Sequence, residues 1–157
     1  MAENIIIRKA EAADMSEVLN LIRELAVYEK APDAVTVTVE KLMEDGFGDH
    51  PFFHVILAIL EGKTVGMAFY YYSYSTWEGK CIFLEDIIVK QDYRRKGIGG
   101  ELFREIIRIS REENVARLMW QVLDWNEPAI SFYRKYNAIF DPSWINVRLK
   151  KDQFGNY

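Results

Sequence analysis

Apolar side chains at Val18, Leu21, Ile22 and Leu25 recur at helical spacing, and Asp14 stands three residues before Glu17 in the manner of a capping box. This pattern predicts a helix from about residue 14 to Lys30, ended by Pro32 and Asp33. A short β-rich run, Asn4 to Lys9, precedes it, and a brief second helix is expected around Glu40 to Glu44. Gly46-Phe47-Gly48-Asp49-His50-Pro51 reads as a loop. Three strands follow: Phe53 to Leu60, Thr64 to Tyr74 and Cys81 to Val89. Glu61-Gly62-Lys63 and Ser75 to Lys80 are their hairpin connections. The third strand is apolar on both faces, as an interior strand should be.

Beyond Val89 the period changes. Ile98, Leu102, Phe103, Ile106, Ile107 and Ile109 make one face of a helix ending near Glu113, with Arg108 and Glu112 at i, i+4 on its outer side. Val115 to Leu123 is a further strand, reached from 81–89 through that helix, which implies a parallel, right-handed crossover. Asn126 caps a helix with Pro128 in its first turn, running to Tyr136, and Asn137 suits a left-handed position at its end. Trp144 to Leu149 is expected as a last strand, and Lys150 to Tyr157 as a tail. The fold class is α/β (α+β), with a mixed, mostly antiparallel sheet flanked by helices. The absence of repeats, linkers or low-complexity stretches predicts a single domain over residues 1–157.

Composition narrows the possible functions. A formal charge of −4 argues against a nucleic-acid partner. No apolar run approaches membrane-spanning length, and the start, Met1-Ala2-Glu3-Asn4, lacks the basic and apolar regions of a signal peptide. The lone cysteine, Cys81, forms no internal disulfide, which points to a reducing cytoplasm. The two histidines, His50 and His54, have no Cys or further His at ligand spacing, so no metal site is expected.

One segment carries recognisable chemistry. Arg94-Arg95-Lys96-Gly97-Ile98-Gly99-Gly100 lies between a buried strand and the start of an amphipathic helix. Free N–H groups and the positive end of the helix dipole make such a place receptive to phosphate. The glycines allow close approach, and three basic side chains add charge. The segment lacks the Gly-Lys-Ser/Thr of a P-loop, and Leu102 stands where a dinucleotide fingerprint needs its third glycine.

Arg94-Arg95-Lys96-Gly97-Ile98-Gly99 resembles the R/Q-x-x-G-x-G/A acetyl-CoA signature of GNAT acetyltransferases. Further pieces are similar to the spermidine/spermine N1-acetyltransferase family: Ile22-Arg23-Glu24-Leu25-Ala26, Glu44 to Asp49, Leu84-Glu85-Asp86, Asp92-Tyr93-Arg94, Trp125-Asn126-Glu127-Pro128 and Phe132-Tyr133. Tyr74-Ser75-Thr76-Trp77 and Leu123-Asp124-Trp125-Asn126 look more like the thialysine Nε-acetyltransferase branch. The polyamine branch has an aspartate where Ser75 stands. Arg95 replaces a usual glycine of the cradle, and Asn137 a helix-ending glycine. The resemblance implies a GNAT fold with a splayed parallel strand pair, acetyl transfer from acetyl-CoA to a primary amine, and a homodimer.

An alkylammonium, with a pKa near 10.4, must lose a proton before it can attack a thioester. Glu85 and Asp86 are adjacent acids in an apolar strand, where an unpaired carboxylate is costly. Structural pairing with an arginine or backbone N–H groups is the alternative to a catalytic role. Alternation sends the two to opposite faces unless a bulge intervenes. The resemblance implies Glu85 as the base, acting through water, Asp86 as an attractor of the ammonium, and Tyr133 as both a coenzyme contact and the acid that protonates the leaving sulfur. It further implies that backbone groups of Ile87, Ile88 and Val89 hold the pantetheine arm, with Asn126 on its other side. Tyr28 and Glu29 match substrate-side residues, and Trp77, beside Ser75, offers a cation–π face. A small-molecule amine acceptor leads. A peptide or protein lysine acceptor, and a non-catalytic acetyl-CoA sensor, are the other readings.

Overall fold

A computed structural model describes residues 4–156. The leader reading falls mostly on Met1 to Glu3, which lie outside the described residues, as does Tyr157 of the expected tail. The chain divides into two compact units, Met1–Gln121 and Val122–Tyr157.

The first unit is a five-stranded sheet in the order β1 (Ile5–Lys9), β2 (His54–Leu60), β3 (Lys63–Ser75), β4 (Gly79–Val89) and β5 (Leu118–Met119). The first four pair antiparallel, and β5 runs parallel to β4. The β2–β3 hairpin turns on Glu61 and Gly62, both left-handed at φ 49° and 77°, the backbone that a two-residue hairpin of matching twist requires. At the other hairpin the Ser75 hydroxyl accepts from the N–H groups of Trp77 and Glu78, closing the turn. Cys81 is buried just after it, its thiol bonded to the Gly79 carbonyl.

Helix α1 (Met15–Tyr28) and helix α2 (Val39–Phe47) cover one face of the sheet. There Met15, Val18, Leu21 and Leu42 pack with Val55, Leu57, Met67 and Ile88, and with the flanking Phe69 and Tyr71. Helix α3 (Ile98–Glu112) buries Ile98, Leu102, Phe103, Ile106 and Ile109, the stripe expected from sequence. Leu102 reaches Gly66 of β3, where an added Cβ would lie 2.8 Å from the Ile88 carbonyl oxygen, so β3 and β4 approach closely at that point. Arg108 pairs with Glu112 as its spacing suggests, and also with Glu105. Among the described residues no helix is long and apolar enough to cross a membrane.

Four expectations need correction. The Asp14 carboxylate does not cap α1; it accepts from the Glu11 N–H and takes the Arg8 guanidinium at 2.8 and 2.9 Å, tying β1 to the turn before the helix. Helix α2 is longer than expected because Thr38 caps it, accepting from the Lys41 N–H. The strand expected over 115–123 shrinks to Leu118–Met119, since only Ile82 and Phe83 of β4 offer it a ladder. Residues 144–149 form no strand. Their apolar side chains stay exposed (Trp144 76%, Ile145 86%, Val147 89%), and without a partner a strand leaves its backbone groups unpaired.

The second unit contains α4 (Glu127–Arg134), begun by Asn126, whose Oδ1 accepts from the Ala129 N–H at 3.4 Å, with Pro128 in the first turn. Asn137 is left-handed at φ 55°, as predicted for a residue following a helix end. A 3-10 turn, Lys151–Asn156, occupies most of the expected tail.

Candidate active site

The apolar sequence of β4 is interrupted at its centre. Phe69 of β3 faces Asp86, but the next β3 residue, Tyr70, faces Leu84, so Glu85 is an extra residue in a β-bulge. Residues directly opposite in a ladder share a face. Phe69 and Tyr71 lie on the α1 face, and they sit opposite Asp86 and Phe83. Counting two on from Phe83 puts Glu85 on that same face. The bulge therefore undoes the alternation that would have separated the two acids.

A third carboxylate joins them from Glu29, the residue that ends α1. Burial, then the charges of Glu85 and Glu29, push the half-buried Asp86 carboxyl up to about 7. Burial and the Glu85 charge likewise raise Glu29 above its ordinary range. Like charges brought together and partly desolvated disfavour ionisation. Such a cluster can attract a cation, and it contains a group able to accept a proton near neutrality.

Beside this cluster, in the first unit, the outer edge of β4 runs on beyond its ladder with β5. The parallel ladder with β5 consists of Ile82–Leu118 and Phe83–Met119 and stops there, before the bulge. The backbone of Ile87, Ile88 and Val89 thus runs past the end of β5 in the first unit, the parting of strands expected from the resemblance.

The glycine-rich turn follows at once. Two contacts from α1 hold its approach: Lys90 pairs with Glu17 at 3.3 Å, and the Gln91 N–H donates to Glu24 at 3.1 Å. Arg94 closes the loop, its Nε donating to the Val89 carbonyl at 2.9 Å and its guanidinium lying 5.1 Å from the Tyr28 ring. Tyr28 therefore lies against the loop as well as beside Glu29 in the chain. Arg95 is left-handed at φ 64°, which explains the usual glycine at its position, and Gly97 is left-handed at 81° as the N-cap of α3. Arg95, Lys96 and Gly97 are exposed, and a Cβ added at Gly97 would meet nothing within 4 Å. Around Gly99 the nearest atom to an added Cβ is Val89 Cγ2, 3.8 Å away, and around Gly100 it is the mobile end of Arg104 at 3.1 Å. The first-turn N–H groups of Ile98, Gly99 and Gly100 come before the first i→i−4 bond, which Glu101 makes to Gly97 at 3.1 Å. These N–H groups have no acceptor within the helix, the arrangement by which a helix start can receive an anion.

Ser75 and Trp77 lie at the far end of β3. Ser75 is four residues beyond Tyr71, about 13 Å along the strand, so the structure does not gather this pair with the carboxylates. Ser75 is buried and engaged in its turn, whereas the Trp77 side chain is 88% exposed. In the second unit, Tyr133 is on α4 with its side chain buried and its ring against Phe132, 5.4 Å between centroids. Tyr71, one of a run of tyrosines that reads from sequence as strand material or as cation–π faces, stacks its ring on Phe83 at 5.3 Å and feels the charge of Glu85. The signal for its place there was its alternation with Phe69, obscured by the run of tyrosines around it.

Residues 15–138 match the Acetyltransferase (GNAT) family. The chain is 42% identical over 142 residues to a thialysine N-epsilon-acetyltransferase of Bos taurus, covering 85% of this chain and 84% of the relative. It is 39% identical over 157 residues to a spermidine/spermine N(1)-acetyltransferase-like protein of Homo sapiens, covering 94% of this chain but 23% of that longer protein. An aminoglycoside acetyltransferase from an uncultured soil metagenomic sample, solved with sisomicin, shares the fold with a TM-score of 0.78 at 21% identity, covering 93% of this chain and 97% of that one.

Proposed function

This chain belongs to the Acetyltransferase (GNAT) family, an acetyl-transferring enzyme, and we propose that its acceptor is the primary amine of a small molecule, a thialysine- or lysine-like amino acid ahead of a polyamine. The observation carrying this is the bulge that turns Glu85 and Asp86 to one face, beside Glu29 and the stretch of β4 beyond its ladder with β5. GNAT acetyltransferases use acetyl-CoA, and the open glycine turn suits its diphosphate. The thialysine relatives favour an amino-acid acceptor.

In this reading the N–H groups of Ile98, Gly99 and Gly100 take the phosphates, with Gly97 leaving them room and Arg95 and Lys96 supplying charge. Arg94 shapes the loop from beneath. The β4 backbone at Ile87, Ile88 and Val89 binds the extended arm as an added strand would, and Asn126 gives it a second contact. Acetyl-CoA supplies the activated acyl group. Glu29 and Asp86 draw in the ammonium, Glu85 takes its proton through water, and Tyr133 gives a proton to the departing sulfur. Ser75 and Trp77 serve the far end of a long acceptor. One catalytic domain over residues 1–157 agrees with a family match that runs across residue 121.

Thiol release from acetyl-CoA should be measured against thialysine, lysine, spermidine and a lysine peptide. The expected order puts thialysine or lysine first. Spermidine first would move the acceptor to the polyamine class, the peptide alone would make this a protein-lysine enzyme, and binding of acetyl-CoA without turnover on any amine would leave a sensor.

The same reading includes a homodimer in the cytoplasm, with no nucleic-acid or membrane partner. The net charge of −4 and the unpaired, buried Cys81 favour that setting. Exposed Ile139, Trp144, Ile145, Val147 and Leu149 supply the apolar surface that a second copy would cover. Sedimentation velocity is expected to give twice the 18.4 kDa chain mass; a species of single mass at micromolar concentration would refute the dimer.

A further inference from the structure

The bulge at Glu85 poses a mechanical problem. An extra residue lacks the ladder partner that fixes its neighbours, and Glu85 is exposed, so its carboxylate has rotamers to lose before it can accept a proton from one direction. Something rigid must aim it.

Tyr71 is placed to do so. It sits on β3 opposite Phe83, one pair beyond the bulge, on the face to which Glu85 turns. Its ring is stacked on Phe83 with 5.3 Å between centroids and 25° between planes, and it packs against the core beneath α1. The phenol is thus held by its body on the face that Glu85 shares, a diagonal neighbour of it across the ladder, and it feels the Glu85 charge. Burial, with that nearby charge, keeps the phenol above its usual range, so it stays protonated and remains a donor. The other two groups coupled to Glu85, namely Asp86 and Glu29, are both acids. When ionised they repel Glu85 and cannot orient it by donation.

We propose that Tyr71 is a positioning residue for acetyl transfer, donating from a fixed ring to the Glu85 carboxylate so that its free oxygen faces the incoming ammonium. This rests on Glu85 being the proton acceptor, and the test separates the two claims. A hydrogen bond to a carboxylate contributes more than one between neutral groups. Tyr71→Phe keeps the stacked ring and removes only the donor.

The experiment is a double-mutant cycle on kcat for the best amine, with Tyr71→Phe, Glu85→Gln and the pair, plus the KM for acetyl-CoA and thermal melting of each. Tyr71→Phe is expected to lower kcat about tenfold, with KM for acetyl-CoA and melting temperature nearly unchanged. Glu85→Gln is expected to lower kcat on the order of 100-fold. In the Glu85→Gln background, Tyr71→Phe should cost nothing more. An equal tenfold loss in both backgrounds would show that Tyr71 acts without Glu85 and would overturn the inference, as would a full-rate Tyr71→Phe enzyme beside a crippled Glu85→Gln. A full-rate Glu85→Gln enzyme would instead remove the base assignment itself.

Discussion

Tyr133→Phe is expected to lower kcat on the order of 100-fold, with a much smaller change in acetyl-CoA affinity. A thiol leaving group resembles cysteine, with a pKa near 8.5, so it departs far more readily as the neutral thiol when a donor stands ready. A phenol, with its ordinary pKa near 10, is protonated at neutral pH and can play that part. Helix α4 is begun by the Asn126 cap and Pro128, and its end is secured by the Tyr136 N–H donating to the Tyr133 carbonyl at 3.0 Å. The Tyr133 side chain is 5% exposed, so the ring itself belongs to the packing. Phenylalanine retains that ring, which separates chemistry from folding. Single-turnover acetyl transfer would read the chemical step directly. An undiminished rate there removes Tyr133 from the acid role and leaves it a packing residue.

The helices were the most legible part of the sequence. The stripe from Ile98 to Ile109 and the run from Val18 to Leu25 each repeat often enough for period alone to define them. The glycine-rich turn was legible because glycine and position spoke together: a buried strand, then Gly97, then an amphipathic helix. Strand pairing was harder to read. Apolar residues at 144–149 and 115–123 permit a strand, but a strand needs a partner, and the partner is chosen far away in sequence. Parallel pairing at Ile82 and Phe83 ends after two residues, and no local composition announces where a ladder stops. The bulge left one trace, two adjacent acids in an apolar strand. Alternation alone read them as opposed, whereas one extra residue set them side by side. Arg95 shows the reverse case. Its unusual residue type in a glycine position was visible at once, and its left-handed φ of 64° supplies the reason.

Asp86→Asn is expected to stabilise the fold at neutral pH and above while impairing catalysis. The carboxyl is raised from 3.8 to about 7 by burial first, then by Glu85 and Glu29. Well below pH 3.8 both folded and unfolded chains carry the proton and the group is neutral to stability. Between about 4 and about 7 the unfolded chain releases it while the folded chain retains it, so stability declines as pH rises. Above 7 both are ionised and the loss has reached its full extent, on the order of 4 kcal/mol. Asparagine, close in shape and without charge, removes this dependence. His54 contributes the opposite slope, because burial lowers its pKa and folding then loses stability as pH falls through the histidine range. The diagnostic quantity is therefore the difference between wild type and variant, measured by urea unfolding at about pH 5 and about pH 8. The variant's advantage should be large at the higher pH and small at the lower, and equal differences at both would mean that Asp86 is not held against its charge. Together with a fall in kcat/KM for the amine, the expected result identifies a carboxylate that the fold resists ionising and the reaction requires. On that result, an acid that weakens the sheet would be explained by what it does for the substrate's positive charge.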